Sequence, residues 1–127
     1  LYLMIRAMKE TDLELIRKIH EEFYSEEFSF PDFQKHFLCC FLEEKDGNII
    51  SAGGIRTICE AVAITDKRQP KAIRREALYD MISASMYIAG KYKYDAIHAW
   101  IQESGFKGPL EKIGFEPIRG EGLILKF

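Results

Sequence analysis

The sequence predicts a mixed α/β fold in which a single central mixed sheet of about seven strands is flanked by about four helices. Two observations support this prediction: segments of strand length and composition recur along the chain, and amphipathic segments of helix length separate them. In chain order the segments give β-α-α-β-β-β-α-β-α-β-β. At 127 residues with 47% apolar side chains, the chain is large enough for one compact domain over residues 1–127.

The N-terminal segment predicts one strand and one amphipathic helix. Tyr2–Met8 has the composition of a strand. Thr11 and Glu14 form a capping-box pattern, which predicts the start of a helix that runs to about Tyr24. The apolar residues of this helix recur at helical spacing: Leu13, Ile16, Ile19 and Phe23.

An aromatic segment and a hairpin follow. Pro31 can occupy the first turn of a short helix that ends near Phe37, and the aromatic side chains around it either fill the core or form a wall over a ligand cleft. Leu38–Glu44 and Asn48–Ile55 are predicted strands, joined by Lys45-Asp46-Gly47 because Asp and Gly tolerate positive φ.

Within the second of these strands, the pair Gly53-Gly54 indicates a bulge or a close backbone approach.

The second half alternates strands and helices. Strands are predicted at Cys59–Thr65, Tyr94–Gln102, Phe115–Ile118 and Leu123–Phe127, and helices at Pro70–Lys91 and Pro109–Ile113. Gly114 is the expected C-cap of the shorter helix, and Gly120 and Gly122 form the turn of a terminal hairpin. The long helix is expected to bury Ile73, Ala77, Leu78, Met81, Ile82, Ser85 and Ile88.

Five basic residues surround the start of the long helix: Lys67, Arg68, Lys71, Arg74 and Arg75. Positive charge is unfavourable there, because a helix N-terminus already carries partial positive charge and unpaired N–H groups. A bound phosphate would compensate. The alternative is a solvated basic turn that is neutralised by Glu76 or by carboxylates elsewhere.

Bulk properties narrow the function classes. A formal net charge of −2 argues against broad binding to nucleic acid or to anionic membranes. No apolar run approaches the ~20 residues that span a bilayer, so the sequence predicts no membrane partner and a cytoplasmic location. Cys39, Cys40 and Cys59 lack metal-ligand spacing and are expected to be reduced core residues, and no metal is expected.

Across nearly the whole chain, the element order resembles that of the GCN5-related N-acetyltransferase (GNAT) superfamily. The frame Gln69-Pro-Lys-Ala-Ile-Arg74 is similar to that family's phosphate loop, Arg/Gln-x-x-Gly-x-Gly/Ala. Leu110-Glu-Lys-Ile-Gly-Phe115 resembles the family's Leu-Tyr-Glu-Lys-x-Gly-Phe segment, with Leu110 at the tyrosine position. Glu103 occupies a position where many relatives have asparagine.

The resemblance implies acetyl-CoA as co-substrate and Glu60 as the general base that deprotonates an amine. It implies the following contacts to acetyl-CoA: Val62, Ala63, Ile64, Gln69, Lys71, Ala72, Ile73, Arg74 and Arg75. Ala72 and Arg74 replace the small residues of the loop, so the Arg74 side chain either crowds the phosphates or pairs with one. Leucine cannot supply the proton that the family's tyrosine gives to the CoA thiolate. Water, Tyr92, Tyr94 or His98 would have to replace it.

Three functions remain open from the sequence. The first is an N-acyltransferase that acts on a small-molecule or peptide amine, either as a monomer or as a homodimer. The second is a catalytically inactive GNAT-fold protein that binds a ligand or another protein. The third, in which residues 67–75 contact nucleic-acid phosphates, predicts strongly salt-dependent binding.

Overall fold

A computed structural model describes residues 3–127, so Tyr2 of the first predicted strand lies outside the described residues. The chain divides into two compact units, Leu1–Ile58 and Cys59–Phe127. The organisation of residues 1–127 as one domain stays a prediction of the sequence. Among the helices described, none combines the length and apolar composition that a membrane span requires.

The first unit contains a three-stranded antiparallel sheet in the order β1-β2-β3. Its strands are β1 (Leu3–Ala7), β2 (Phe37–Lys45) and β3 (Asn48–Arg56). The predicted hairpin is confirmed: Asp46 and Gly47 form the turn with φ of 52° and 79°. Leu42 lies on the central strand, opposite Arg6 on one side and Ala52 on the other, and is 1% exposed.

Helix α1 (Leu13–Phe23) confirms the predicted helix, but the capping box of Thr11 and Glu14 is wrong. A 3-10 turn at Glu10–Asp12 precedes the helix. In this turn the Lys9 N–H donates to the Asp12 carboxylate at 2.7 Å, and the Asp12 N–H donates to the Lys9 carbonyl at 2.9 Å. Asp12 therefore fixes the entry to the helix, which then contacts β3.

The predicted short helix from Pro31 to Phe37 is also wrong, because this segment forms turns. Asp32 accounts for the difference. Its carboxylate accepts the N–H of Gln34 at 3.1 Å, and its carbonyl accepts the N–H of Lys35 at 3.1 Å. Side-chain hydrogen bonds of this kind offer the backbone an alternative to a helix.

Gly54 confirms the predicted close backbone approach in β3. The pairing register shifts between Phe37 and Cys39, which leaves one extra residue on β2 at this point. A Cβ on Gly54 would collide with the Cys39 carbonyl oxygen, whereas a Cβ on Gly53 would meet nothing within 4 Å. The irregularity thus requires glycine at Gly54 alone.

The second unit is built around α2 (Lys71–Lys91) and the short α3 (Lys107–Lys112), which is preceded by a 3-10 turn at Ser104–Phe106. Leu78 and Ile82 of α2 pack with Leu110 of α3. Of the other residues predicted to be buried on the long helix, Ile73, Met81 and Ile88 are 43–54% exposed. Ala89, which was not predicted, is buried. The buried stripe is narrow, and the residues packed against its core are Ala61, Ala63, Ala99, Phe106 and Phe115.

The end of α3 agrees with the prediction. Gly114 has φ of 110°, its N–H donates to the Glu111 carbonyl at 3.1 Å, and the Phe115 N–H donates to the Leu110 carbonyl at 3.1 Å. Glycine at this position accepts the left-handed backbone that ends the helix. The helix begins at Lys107, two residues before the predicted start.

The predicted fold class is wrong. Residues 3–127 form three α-helices and one three-stranded antiparallel sheet, instead of a seven-stranded mixed sheet with four helices. Four predicted strands are not strands in the structure: residues 59–65, 94–102, 115–118 and 123–127. They have the composition of strands, but a strand also needs a hydrogen-bonded neighbour. The first two of these segments share one bridge only, Glu60 with His98.

Candidate functional site

Two extended segments of the second unit meet at a single parallel bridge between Glu60 and His98. The His98 N–H donates to the Cys59 carbonyl at 2.8 Å, and the Ala61 N–H donates to the His98 carbonyl at 2.8 Å. Residues opposite each other in a bridge project their side chains to the same face. Glu60, the predicted base, therefore has His98 as its direct neighbour.

The two segments have a packed face and an open face. Ala61, Ala63 and Ala99 pack against the core of Leu78, Ile82 and Leu110. Since side chains alternate along extended backbone, the residues between these alanines lie on the other side. We call this side the bridge face, and it comprises Glu60, Val62, Ile64, His98 and Trp100. Its apolar members are well exposed: Val62 by 72%, Ile64 by 91% and Trp100 by 51%.

His98 and Trp100 form the aromatic part of the bridge face. Their rings stack with centroids 5.9 Å apart and planes inclined by 20°. The Nδ1 atom of His98 is buried and has no hydrogen-bond partner within residues 3–127. A buried polar atom without a partner costs free energy. In native structures such an atom calls for an explanation, and a catalytic role is one of the known explanations.

Trp100 also borders a cavity of about 430 Å³ in the second unit. Leu110 and Phe115 line its apolar part, and Arg119 and Glu121 lie toward the C-terminal segment. Leu110 is 5% exposed and belongs to the core. The position that resembles the family's tyrosine is therefore filled by a packed aliphatic side chain.

At the N-terminus of α2, neither a side-chain cap nor an acidic residue offsets the partial positive charge of the helix. Pro70 is the N-cap residue and makes no side-chain cap, and the first turn contains no acidic residue. The first backbone bond of the helix runs from the Arg74 N–H to the Pro70 carbonyl, at 3.1 Å. The N–H groups before it point out of the helix end, where an anion is favoured.

Ion pairs neutralise two of the five basic residues near this helix end. The Lys67 Nζ lies 2.9 Å from Glu103 Oε1, and the Arg68 Nη2 lies 3.0 Å from Asp66 Oδ2. The hydrogen bonds from Arg68 lower the pKa of the Asp66 carboxyl. The neutralising carboxylates are thus Asp66 and Glu103, and Glu76 pairs with none of the described basic residues.

The other three basic residues, Lys71, Arg74 and Arg75, form no ion pair with the described residues. The Arg74 Nε donates to the Gln69 carbonyl at 3.2 Å, so this side chain folds back over the loop. Lys71 and Arg75 are exposed, and neither has a hydrogen bond or ion pair within the described part of the chain. Both cations are available to a ligand at the helix start.

The remaining predicted contacts to acetyl-CoA occupy two different environments. Val62, Ala63 and Ile64 have backbone N–H groups that bond to nothing in the described residues, although the Ala63 side chain packs into the core. Ala72 and Ile73 lie exposed in the first turn of α2. No group of His, Cys, Asp and Glu with metal-binding geometry occurs among residues 3–127.

Sequence reasoning left open an aromatic wall over a ligand cleft near Pro31, and it missed the pairing of Glu60 with His98. In the first unit, a cavity of about 500 Å³ is lined by α1, by β3 and by aromatic residues that include Phe28, Phe30 and Phe33. The His20 ring borders it and hydrogen-bonds through Nε2 to the Phe28 carbonyl at 2.6 Å. The Glu60–His98 pairing had a sequence signal, the strand-helix-strand order that leads to parallel neighbours.

Comparison with protein-family models gives no match for this chain, and comparison with curated proteins gives none either.

Proposed function

We propose that the chain is an acyl-CoA-dependent N-acyltransferase that transfers an acetyl group from acetyl-CoA to an amine. The start of α2 carries this proposal, because it is a helix N-terminus without acid or side-chain cap, beside two unpaired cations, Lys71 and Arg75. The pyrophosphate of acetyl-CoA supplies the negative charge that this position lacks. Arg74, folded over the loop carbonyl of Gln69, keeps its remaining N–H groups for a phosphate.

In chain order, α2 lies between the two bridged segments, and this arrangement also supports the proposed acetyl-CoA site. In strand-helix-strand units with parallel neighbours, ligands bind beyond the carboxyl ends of the strands. Lys67 follows the Glu60 segment, Glu103 follows the His98 segment, and their side chains pair at 2.9 Å. The two carboxyl ends are therefore together, on the side where α2 begins.

The proposed reaction is direct transfer. The amine nitrogen attacks the carbonyl carbon of the thioester, a C–N bond forms, and the C–S bond breaks. Glu60, exposed on the bridge face, takes the amine proton directly or through water. The free N–H groups of Val62 and Ile64 are suited to polarise the carbonyl oxygen.

A non-catalytic module that binds a ligand or a protein is the second candidate. The burial of Leu110 favours it, because the residue in the position of the family's acid is an aliphatic core side chain. A small-molecule or peptide amine as acceptor, a homodimer and a cytoplasmic location remain predictions that accompany the first candidate.

Calorimetric titration with acetyl-CoA and with free CoA, at two salt concentrations, tests the proposal. We expect a micromolar Kd that persists at the higher salt. Exchange of both unpaired cations, Lys71→Gln with Arg75→Gln, should weaken binding by about 100-fold, since each exchange removes a charge-assisted contact of about 1.5 kcal/mol.

Lys91→Gln is the matched control. Lys91 lies at the other end of the same 21-residue helix, about 30 Å away, where it contacts the Tyr87 ring. Its exchange should leave affinity unchanged. Absence of binding by the folded wild-type protein would contradict the proposal. Affinity for DNA oligonucleotides, lost steeply between the two salts, would point to the nucleic-acid alternative.

A further inference from the structure

Departure of CoA as a thiolate requires a proton, and the structure narrows its source. Leu110 cannot supply it. The sequence leaves Tyr92, Tyr94 and His98 as side chains that could, besides water. Their positions in the second unit differ, and only one of the three lies beside Glu60.

Both tyrosines follow the C-terminal end of α2, whereas acetyl-CoA is proposed to bind at the N-terminal end. Tyr92 directly follows the helix, and its N–H bonds to the carbonyls of Ile88 and Ala89. Tyr94 bonds through its N–H to the Ala89 carbonyl at 3.0 Å, and its side chain borders a cavity shared with Met86 and Ala89. The last turn of α2 is about 30 Å from the first turn, where the proposed pyrophosphate contacts lie.

His98 lies beside the proposed base instead. It is the bridge partner of Glu60, so the imidazole and the carboxylate share the bridge face. Side chains directly opposite each other in a sheet have Cβ atoms about 5 Å apart, within the reach of a glutamate. A proton that Glu60 has taken can therefore pass to His98, directly or through one water.

The two ring nitrogens of His98 have different surroundings. Nδ1 is buried and without a partner in the described residues, whereas Nε2 is not buried in this way. The stacked Trp100 ring limits rotation of the imidazole. Nε2 is consequently the nitrogen that can meet a ligand or exchange a proton.

We propose that His98 is the general acid of this site and takes over the role of the missing tyrosine. This inference rests on the proposed acyltransferase function. The amine nitrogen attacks the thioester carbon and forms the C–N bond, Glu60 accepts the amine proton, and the C–S bond breaks. His98 acts as the imidazolium: its Nε2 gives a proton to the CoA thiolate, which leaves the imidazole neutral. Transfer of the proton from Glu60 to His98 restores both groups, so the cycle yields an amide and CoA–SH without net change in the protein.

The first test is NMR of the histidine ring nitrogens in ¹⁵N-labelled full chain, titrated with CoA and with desulfo-CoA, which lacks the thiol. The chain has three histidines, so loss of one signal set in His98→Gln assigns His98. We expect CoA to shift the Nε2 signal of His98 more than desulfo-CoA does, and His20 of the first unit to report no difference. Equal shifts from the two ligands, both bound, would overturn the proposal.

The second test uses the leaving group. With acetyl-CoA as donor and benzylamine as acceptor, His98→Gln should lower kcat by about 100-fold while the Kd for acetyl-CoA stays the same. With p-nitrophenyl acetate the leaving group needs no proton, so the same variant should keep its rate. Glu60→Gln should lower both rates, because the amine loses its proton in either reaction.

The outcomes separate the two proposals. A folded wild-type protein that binds no acetyl-CoA removes the acyltransferase function and, with it, the acid. Wild-type turnover with an unaltered His98→Gln rate removes only the role of His98. If His98→Gln does not fold, His98→Ala with added imidazole takes its place: rescue of the acetyl-CoA rate supports the proposal, and a folded variant without rescue contradicts it.

Discussion

Arg6 donates two parallel hydrogen bonds of 2.8 Å to Asp12, one to each carboxylate oxygen. A third bond of 2.7 Å joins Arg6 to Glu44 on the neighbouring strand β2. Asp12 is buried, and it also accepts the Lys9 N–H. The network ties the first strand, the central strand and the entry to α1 together. The hydrogen bonds from Arg6 lower the pKa of Asp12 from 3.8 to about 2, and they lower the pKa of Glu44 as well.

Asp12 should make stability pH-dependent in acid. Its pKa is lower in the folded protein, so the contribution is complete above the ordinary carboxyl pKa and is lost as the pH falls from about 4 to 2. Asp12→Asn should cost about 2 kcal/mol of unfolding free energy at pH 7 and should flatten its acid dependence. Denaturant unfolding between pH 7 and pH 2 measures both. Glu10→Gln, in the same turn, is the control and should change neither.

Gly54 should resist any side chain. Gly54→Ala places a Cβ against the Cys39 carbonyl, and backbone on both sides must move, at a cost of about 3 kcal/mol in unfolding free energy. Gly53→Ala lies one residue away with open space around the new methyl, and should cost less than about 1 kcal/mol. Denaturant unfolding compares the two. Equal losses would show that the register shift opposite Gly54 does not require glycine.

The neighbouring cysteines should react at different rates. Cys39 is an exposed free thiol, which contradicts the predicted core position, whereas Cys40 is partly buried and its Sγ contacts the Phe33 carbonyl at 3.4 Å. Burial raises the pKa of the Cys40 thiol, so less of the reactive thiolate forms. Iodoacetamide followed by peptide mass spectrometry should find Cys39 modified first. In urea the two thiols should react at equal rates. Equal rates in the native protein would contradict the prediction.

Glu60→Gln should separate chemistry from binding. The amide keeps the size of the side chain but cannot take a proton, so kcat should fall by about 100-fold or more while the Kd for acetyl-CoA changes little. Asp80→Asn is the matched control, since Asp80 is an exposed carboxylate of the same unit that lies outside the proposed site. An unchanged kcat in Glu60→Gln would remove Glu60 from the catalytic role.

Local patterns predicted those elements whose hydrogen bonds are made nearby in the chain. The Asp46-Gly47 hairpin, α1 and α2 were predicted within a few residues, and Gly114 ends α3 as expected. Turn geometry and helical periodicity depend on residues at most a few positions apart, so the sequence displays them directly. The short helix after Pro31 was mispredicted because the competing side-chain bonds of Asp32 outweigh its composition.

In the candidate site, too, local features were predicted and long-range contacts were not. Charge alone identified the basic start of α2, since position along a helix is a local property. Which cations stay unpaired was not visible, because Lys67 meets Glu103 from a segment 36 residues away. The position of His98 beside Glu60 also depends on a long-range backbone pairing, which no local pattern specifies.

The sequence by itself determined the positions of the long helices, the hairpin turn and the concentration of positive charge before Leu78, because these follow from spacing, turn chemistry and residue type. Only the tertiary structure decided how many strands form. Residues 59–65 and 94–102 resemble strands equally well, yet they share one bridge, while β1, β2 and β3 form a continuous sheet. A strand exists through hydrogen bonds to a distant partner, and no local pattern specifies whether that partner is in place.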